Sequence, residues 1–225
     1  HVELIGGDTS ASDGGWFISV TLVGMVPPRK ALFRNSAGIG DLLYVTGTIG
    51  DSLAGLMLLN ERPPRKKQRP GTAALSPRHQ QFLIGRHLRP TARIAEGQWL
   101  SSHRLATSAI DISDGLSGDL RHICEESHVG AELDLGALPV SPACRAYAAT
   151  RTLDPVALAL TGGEDYELLF TLSPRHQAQV ERATMLRRFR ITCIGAIRPA
   201  RHGIQAVGPD GKKRPLPITS YEHFR

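Results

Sequence analysis

Three short segments combine acidic side chains with glycines, and their chemistry is the starting point. Gly6-Gly7-Asp8-Thr9 follows an apolar run. Asp111-Ile-Ser-Asp-Gly115 follows Ala109–Ile110 and precedes a helical stripe. Thr161-Gly-Gly-Glu-Asp-Tyr-Glu167 precedes the apolar Leu168–Leu172. Glycines let a backbone approach a phosphate closely, and carboxylate oxygens suit Mg²⁺. Helix N-terminal amides add an anion site. Each segment also has a plainer reading. Asp8 could cap a turn, Asp114 could cap the helix that follows it, and 161–167 could be a solvated acidic turn. Arg34, in Lys30-Ala-Leu-Phe-Arg34, could clamp a phosphate, although one arginine is uninformative by itself.

Other site chemistries are excluded by pattern. GxxxxGK[ST], a GxGxxG after a strand, HExxH and GxSxG are all missing from the sequence. Cys124, Cys144 and Cys193 are widely spaced and form no CxxC, which speaks against a disulfide framework or zinc site and for a reducing cytoplasm.

The elements that must position these residues follow from periodicity. Val2–Ile5 and Trp16–Val26 are expected to be strands, the second stopped by Pro27-Pro28. Asp41–Thr46 is a further strand. A helix capped by Asp51-Ser52 carries Leu53, Leu56, Met57 and Leu59. Helical patterns recur at 77–87 and 94–106. Leu116, Leu120, Ile123 and Cys124 form a stripe after Asp114. A strand is expected at 131–135, and a helix at 141–150 with Ser141 as cap and Pro142 at its first position. Strand 166–172 leads through Ser173-Pro174 into a helix ending near 187. Strands at 189–197 and 204–207 follow, with Pro-Asp-Gly at 209–211 as a hairpin turn. Alternating helices and strands indicate an α/β or α+β fold.

Composition agrees. The 225 residues are 41% apolar, enough for a core but with no run approaching the roughly 18 residues of a membrane span. Lys and Arg number 27 against 21 acids, and the excess concentrates at ERPPRKKQR, 61–69. This reads as a solvated, proline-broken loop, because only 5% of residues are aromatic and stacking with nucleic acid lacks partners. Nucleic-acid binding rests on that run alone. The chain opens on His1 in a strand-like segment without signal-peptide character, so its natural start is expected upstream.

Seven stretches together resemble the thiamine-monophosphate kinase family, in the aminoimidazole ribonucleotide synthetase superfamily. They are LIGGDTS (4–10), KALFRNSAGIGDLLYVTGTIGDSLAGL (30–56), RHLRPTARIAEGQ (86–98), AIDISDGLSGDLRHI (109–123), AELDLGALPVS (131–141), ALTGGEDYELLFTL (159–172) and YEHF (221–224). The resemblance implies a C-terminal synthetase-like α/β domain over 29–225, a mixed sheet covered by helices. Residues 1–28 would be the remnant of an N-terminal ATP- and metal-binding domain. It implies a cytoplasmic enzyme, homodimeric as a whole, that transfers a phosphoryl group from ATP to thiamine monophosphate with Mg²⁺.

By motif, Gly7, Asp8, Arg34 and Ser113 match ATP contacts. Asp8, Asp111 and Asp114 match Mg²⁺ ligands, and Glu164 and Tyr221 match substrate contacts. No side chain is assigned as a general base. Asp8, Asp111 and Asp114 are expected to converge in a cleft between the two domains. The family's upstream part carries further metal ligands, so this chain by itself is expected to be weakly active or inactive. Two alternatives stay open: a non-catalytic ATP/Mg²⁺-binding fragment, and a related superfamily enzyme with another phosphate acceptor.

Overall fold

A computed structural model describes residues 2–61 and 75–218. The basic run at 62–69 and the terminal YEHF lie outside the described residues. A seven-stranded sheet organises the described part, in the order β2-β4-β1-β5-β3-β6-β7. The strands are β1 (Leu42–Thr46), β2 (Ala106–Asp111), β3 (Val129–Asp134), β4 (Leu168–Leu172), β5 (Ile191–Pro199), β6 (Ile204–Val207) and β7 (Lys213–Pro215). All neighbouring pairs are antiparallel except β3 with β6, so the sheet is mixed.

Side-chain alternation explains why both faces are covered. In β1, Leu43 and Val45 enter the larger core, while Tyr44 between them points to the opposite face. The larger core is closed by α1 (Asp51–Asn60), α2 (Pro77–Leu88), α4 (Leu116–Glu126), α5 (Pro142–Arg151) and α6 (Pro155–Thr161). The expected stripe of α4 is there: Leu116, Leu120, Ile123 and Cys124 are all buried. The smaller core packs Trp99 and Leu100 of α3 (Ile94–Ser102) and Val180 of α7 (Gln177–Met185) on Tyr44, Phe170 and Leu172. Tyr44 and Phe170 stack across β1 and β4 with centroids 5.7 Å apart.

The hairpin turn at 209–211 joins antiparallel β6 and β7, as its residues imply. The helix after Ser173-Pro174 begins as a 3₁₀ turn, Pro174–His176, and α7 ends at Met185. Helix α6 was not apparent from periodicity. It is set by Asp154, whose side chain accepts from the Val156 amide, with Pro155 at its first position.

The two strands expected in 2–26 do not form. Those residues are irregular and exposed, and the sheet does not include them. A strand exists only through a neighbour that pairs its amides and carbonyls, and the described residues offer none. The chain first docks on the fold near Lys30: Lys30 Nζ donates to Ser102 O at 2.7 Å, and Ala109 N donates to Phe33 O at 3.0 Å. Trp16 and Phe17 are 98% and 88% exposed, in company with Ile18, Val20, Leu22 and Val23. Such a run favours self-association. The chain as given is expected to elute above its monomer mass at tens of micromolar in size-exclusion chromatography with light scattering. Deleting 2–26 is expected to return it to monomer, and a monomeric intact chain would contradict this.

Candidate active site

Two of the three acidic segments meet because their strands are neighbours. Asp111 ends β2 opposite Leu168, the first residue of β4. The pairing continues beyond the strands. Ile112 N donates to Glu167 O at 2.8 Å, Tyr166 N to Ile112 O at 3.0 Å, and Glu164 N to Ser113 O at 2.8 Å. Segments fifty residues apart are thereby laced into one wall. Glycines permit the closeness. A Cβ on Gly163 would lie 2.5 Å from Ser113 O, and one on Gly115 (φ 115°) 3.0 Å from the Thr161 carbonyl. Glu164 (φ 61°) and Tyr166 (φ 50°) hold left-handed backbone without being glycine, a strain that concentrates at functional sites.

This wall faces α1 and α2 across a cavity of about 690 Å³. Ser113, Asp114, Glu164 and Tyr166 line one side, and Ser52, Leu53, Leu56 and His87 the other. Asp119, buried one turn into α4, braces the loop: its Oδ2 accepts from Ser113 N at 3.1 Å and Asp114 N at 3.3 Å. Burial pushes the Asp119 carboxyl up to about 6, and the nearby Asp114 and Asp111 charges push the same way. Negative charge is therefore crowded at this strand end. Two hard carboxylates, Asp111 and Asp114, in that setting suit a divalent cation. Among the described residues, however, no cluster of three His, Cys, Asp or Glu is placed to hold a metal.

Behind the wall lies a buried charge cluster. Asp165 is fully buried and caps α1 from a distance, accepting from Gly50 N at 2.5 Å and Ser52 N at 2.9 Å. The expected cap of Asp51 or Ser52 is corrected here. The cap position is Gly50, left-handed and without a side chain, so the helix start needed a carboxylate from elsewhere. Asp51 instead accepts from Thr48 Oγ1 and Ser141 Oγ, both at 2.5 Å. Glu167, fully buried, accepts from Arg86 at 2.8 Å, Arg93 Nε at 2.6 Å and Thr46 Oγ1 at 2.6 Å. Its hydrogen bond raises the Arg93 guanidinium further above its ordinary value.

Three buried carboxyls, Asp51, Asp165 and Glu167, thus face two guanidinia, Arg86 and Arg93. One proton is the natural balance. Burial raises Asp51 and pushes Asp165 up to about 7. A carboxyl raised on folding stabilises below its unfolded pKa, near 3.8, and that stabilisation is lost as pH rises through about 7. The urea midpoint of the protein is expected to fall between about pH 4 and 7, the interval from the unfolded to the folded value, and Asp165→Asn to flatten that fall. Parallel slopes for both proteins would contradict the assignment.

The other expected site residues lie apart from the cavity. Asp8 is exposed, and its Oδ1 accepts from Thr9 N at 2.8 Å; Gly7 has open space around it. The described residues do not gather Asp8 with Asp111 and Asp114. Arg34 pairs with Glu126 at 2.5 Å. Glu126 ends α4 and Asp114 precedes its start, so the length of the helix, ~16 Å at 1.5 Å per residue, separates them. Tyr221 lies outside the described residues. The sequence marks Ser52 only as part of a helix cap and marks neither His87 nor Asp119, because nothing local shows that a lone polar residue on a helix faces a cavity.

A mixed sheet with helices packed over it and acidic glycine loops at one strand end define a class. The chain belongs to the family described as AIR synthase related protein, C-terminal domain, which it matches over residues 38–202. It is 39% identical over 226 residues to the thiamine-monophosphate kinase of Escherichia coli K12, covering 99% of this chain and 64% of that protein. Among solved structures, "AaThiL complexed with AMPPCP and TMP" is 34% identical with a TM-score of 0.67, over 86% of this chain and 54% of that one. Thiamine-monophosphate kinase from Stenotrophomonas maltophilia K279a gives the same identity and TM-score, over 84% and 56%. The chain therefore spans somewhat less than two thirds of its curated relative. None of the described helices is long and apolar enough to cross a membrane.

Proposed function

We propose that this chain supplies the C-terminal part of an ATP-dependent kinase that converts thiamine monophosphate to thiamine diphosphate. The observation that carries the reading is the joined wall of 111–114 and 163–166 on a cavity of about 690 Å³, within a chain 39% identical to a kinase of that name. The solved relative complexed with AMPPCP and TMP supports a nucleotide and an acceptor as the two ligands.

In this reading residues 29–225 form the synthetase-like domain, and 1–28 belong to an N-terminal ATP- and metal-binding domain. The docking of the chain from Lys30 onward agrees with that division. Asp111 and Asp114 would hold Mg²⁺ together with Asp8, and Gly7, Arg34 and Ser113 would contact ATP. Glu164 and Tyr221 would contact the acceptor. Bound Mg²⁺ would neutralise phosphate oxygens. Asp119 keeps the Ser113–Asp114 loop in place, and the α4 amides favour an anion at its start.

The acceptor's phosphate oxygen is already ionised at neutral pH, so no side chain has to remove a proton. It bonds to the γ-phosphorus as the bond to the ADP oxygen breaks, and catalysis is positioning and charge stabilisation. The working protein is cytoplasmic and a homodimer in this reading. A non-catalytic ATP/Mg²⁺-binding role is the second reading, favoured for this chain by itself by the placement of Asp8, exposed and apart from Asp111 and Asp114.

Thiamine diphosphate formation from ATP, Mg²⁺ and thiamine monophosphate decides between them. The chain should be assayed beside a chimera in which the portion of the E. coli relative that it does not cover is joined to it. Turnover by the chimera, with little or none by the chain, is the expected result. An inactive chimera that still binds AMPPCP would favour the non-catalytic role or a different acceptor.

A further inference from the structure

We infer that His87 is a positioning residue of the acceptor subsite: through Nδ1 it holds the Glu164 carboxylate on the cavity wall, with Ser52 fixing the ring. The inference rests on the proposed reading of Glu164 as an acceptor contact.

Three elements converge at this point. His87 comes from the last turn of α2, Ser52 from the first turn of α1 and Glu164 from the loop before β4. His87 Nδ1 lies 3.0 Å from Ser52 Oγ and 3.4 Å from Glu164 Oε2. All three line the cavity. A carboxylate can only accept, so the nitrogen facing it is best protonated, and the neighbouring hydroxyl then accepts as well.

The ring's place is built in by the packing of α1 on α2. A Cβ on Gly55 would fall 2.1 Å from Leu83 O and 3.2 Å from His87 Cβ, so only glycine lets the helices come close enough for Ser52 to reach His87. Glu164 needs such a hold. Its side chain is 54% exposed, against 15% for His87, and its backbone sits at φ 61°. An exposed carboxylate without an anchor samples several rotamers, and a ligand must then pay that ordering. Arg86, one residue before His87, is turned inward onto Glu167 and does not compete for Glu164.

The test uses isothermal titration of the chimera with thiamine monophosphate, and separately with AMPPCP and Mg²⁺. The variants are His87→Ala, His87→Asn and His87→Gln, each also followed by thermal melting. An Asn amide nitrogen sits near the place of Nδ1, whereas the Gln amide reaches toward Nε2. Ala and Gln are expected to weaken thiamine monophosphate binding about tenfold, the scale of the ordering cost of one immobilised side chain. Asn should stay within about threefold of the parent. AMPPCP affinity and the melting midpoint should not move. Adding His87→Ala to Glu164→Gln should cost little more than Glu164→Gln alone.

Unchanged thiamine monophosphate binding in His87→Ala would overturn the inference. So would a parallel fall of both ligands and of the melting midpoint in all three variants, which would make His87 a packing residue. A parent protein that binds AMPPCP but not thiamine monophosphate would overturn the acceptor reading, and the inference with it.

Discussion

Glu167→Ala is expected to destabilise the protein by about 3–5 kcal/mol, the cost of leaving buried partner charges unpaired. Glu167 is fully buried and takes hydrogen bonds from two arginines and from Thr46. Removing its carboxylate takes the short ion pair from both Arg86 and Arg93, leaving only the longer ion contacts of Arg86 to Asp51 at 3.9 Å and of Arg93 to Glu96 at 3.7 Å. The surroundings cannot close in around the loss easily, because Gly47 (φ 58°) already approaches so tightly that a Cβ there would lie 2.1 Å from Glu167 Oε1. The total stability of a domain is only about 5–15 kcal/mol, so the variant is expected to lose a large fraction of it and to melt well below the parent. Chemical denaturation at pH 7 reads the effect. Glu167→Gln is expected to recover little, since its amide NH₂ would face guanidinium donors. A loss below about 1 kcal/mol would mean that the pairs behave as exposed ones.

Asp114→Asn carries the largest expected effect on turnover: a fall in kcat of about a hundredfold or more in the chimera, on the scale of removing one preorganised charge-stabilising group. The substitution conserves shape. The Asp114 contact to Asp119 is made by the backbone amide, so the loop stays braced while the cavity-facing charge is removed. The apparent Mg²⁺ requirement should rise. A variant that keeps more than about a third of parental kcat at saturating Mg²⁺ would remove Asp114 from the metal set.

Local structure was legible in the sequence wherever one period and one punctuation mark coincided. The stripe of α4, the Ser141-Pro142 start of α5 and the Pro-Asp-Gly turn between β6 and β7 are each encoded by contiguous residues. The fold class followed. The segment 2–26 shows the converse. Its composition is strand-like, yet strand formation is a property of a pair, and its residues find no partner in the described structure.

What the sequence by itself determined is therefore the set of local elements and the residue types that could meet a phosphate and a metal. Tertiary structure decided which of them meet. The antiparallel register of β2 and β4 brings Asp111–Asp114 beside Gly163–Tyr166, while α4 holds Arg34 at its far end. The same register turned Asp165 and Glu167 inward, so that two acids of an apparently solvated turn became a helix cap and the centre of a buried ion cluster. It also set Ser52, His87 and Glu164 around one nitrogen. Such contacts arise between residues far apart in the chain, through backbone pairing and close helix packing, and no spacing along one segment records them.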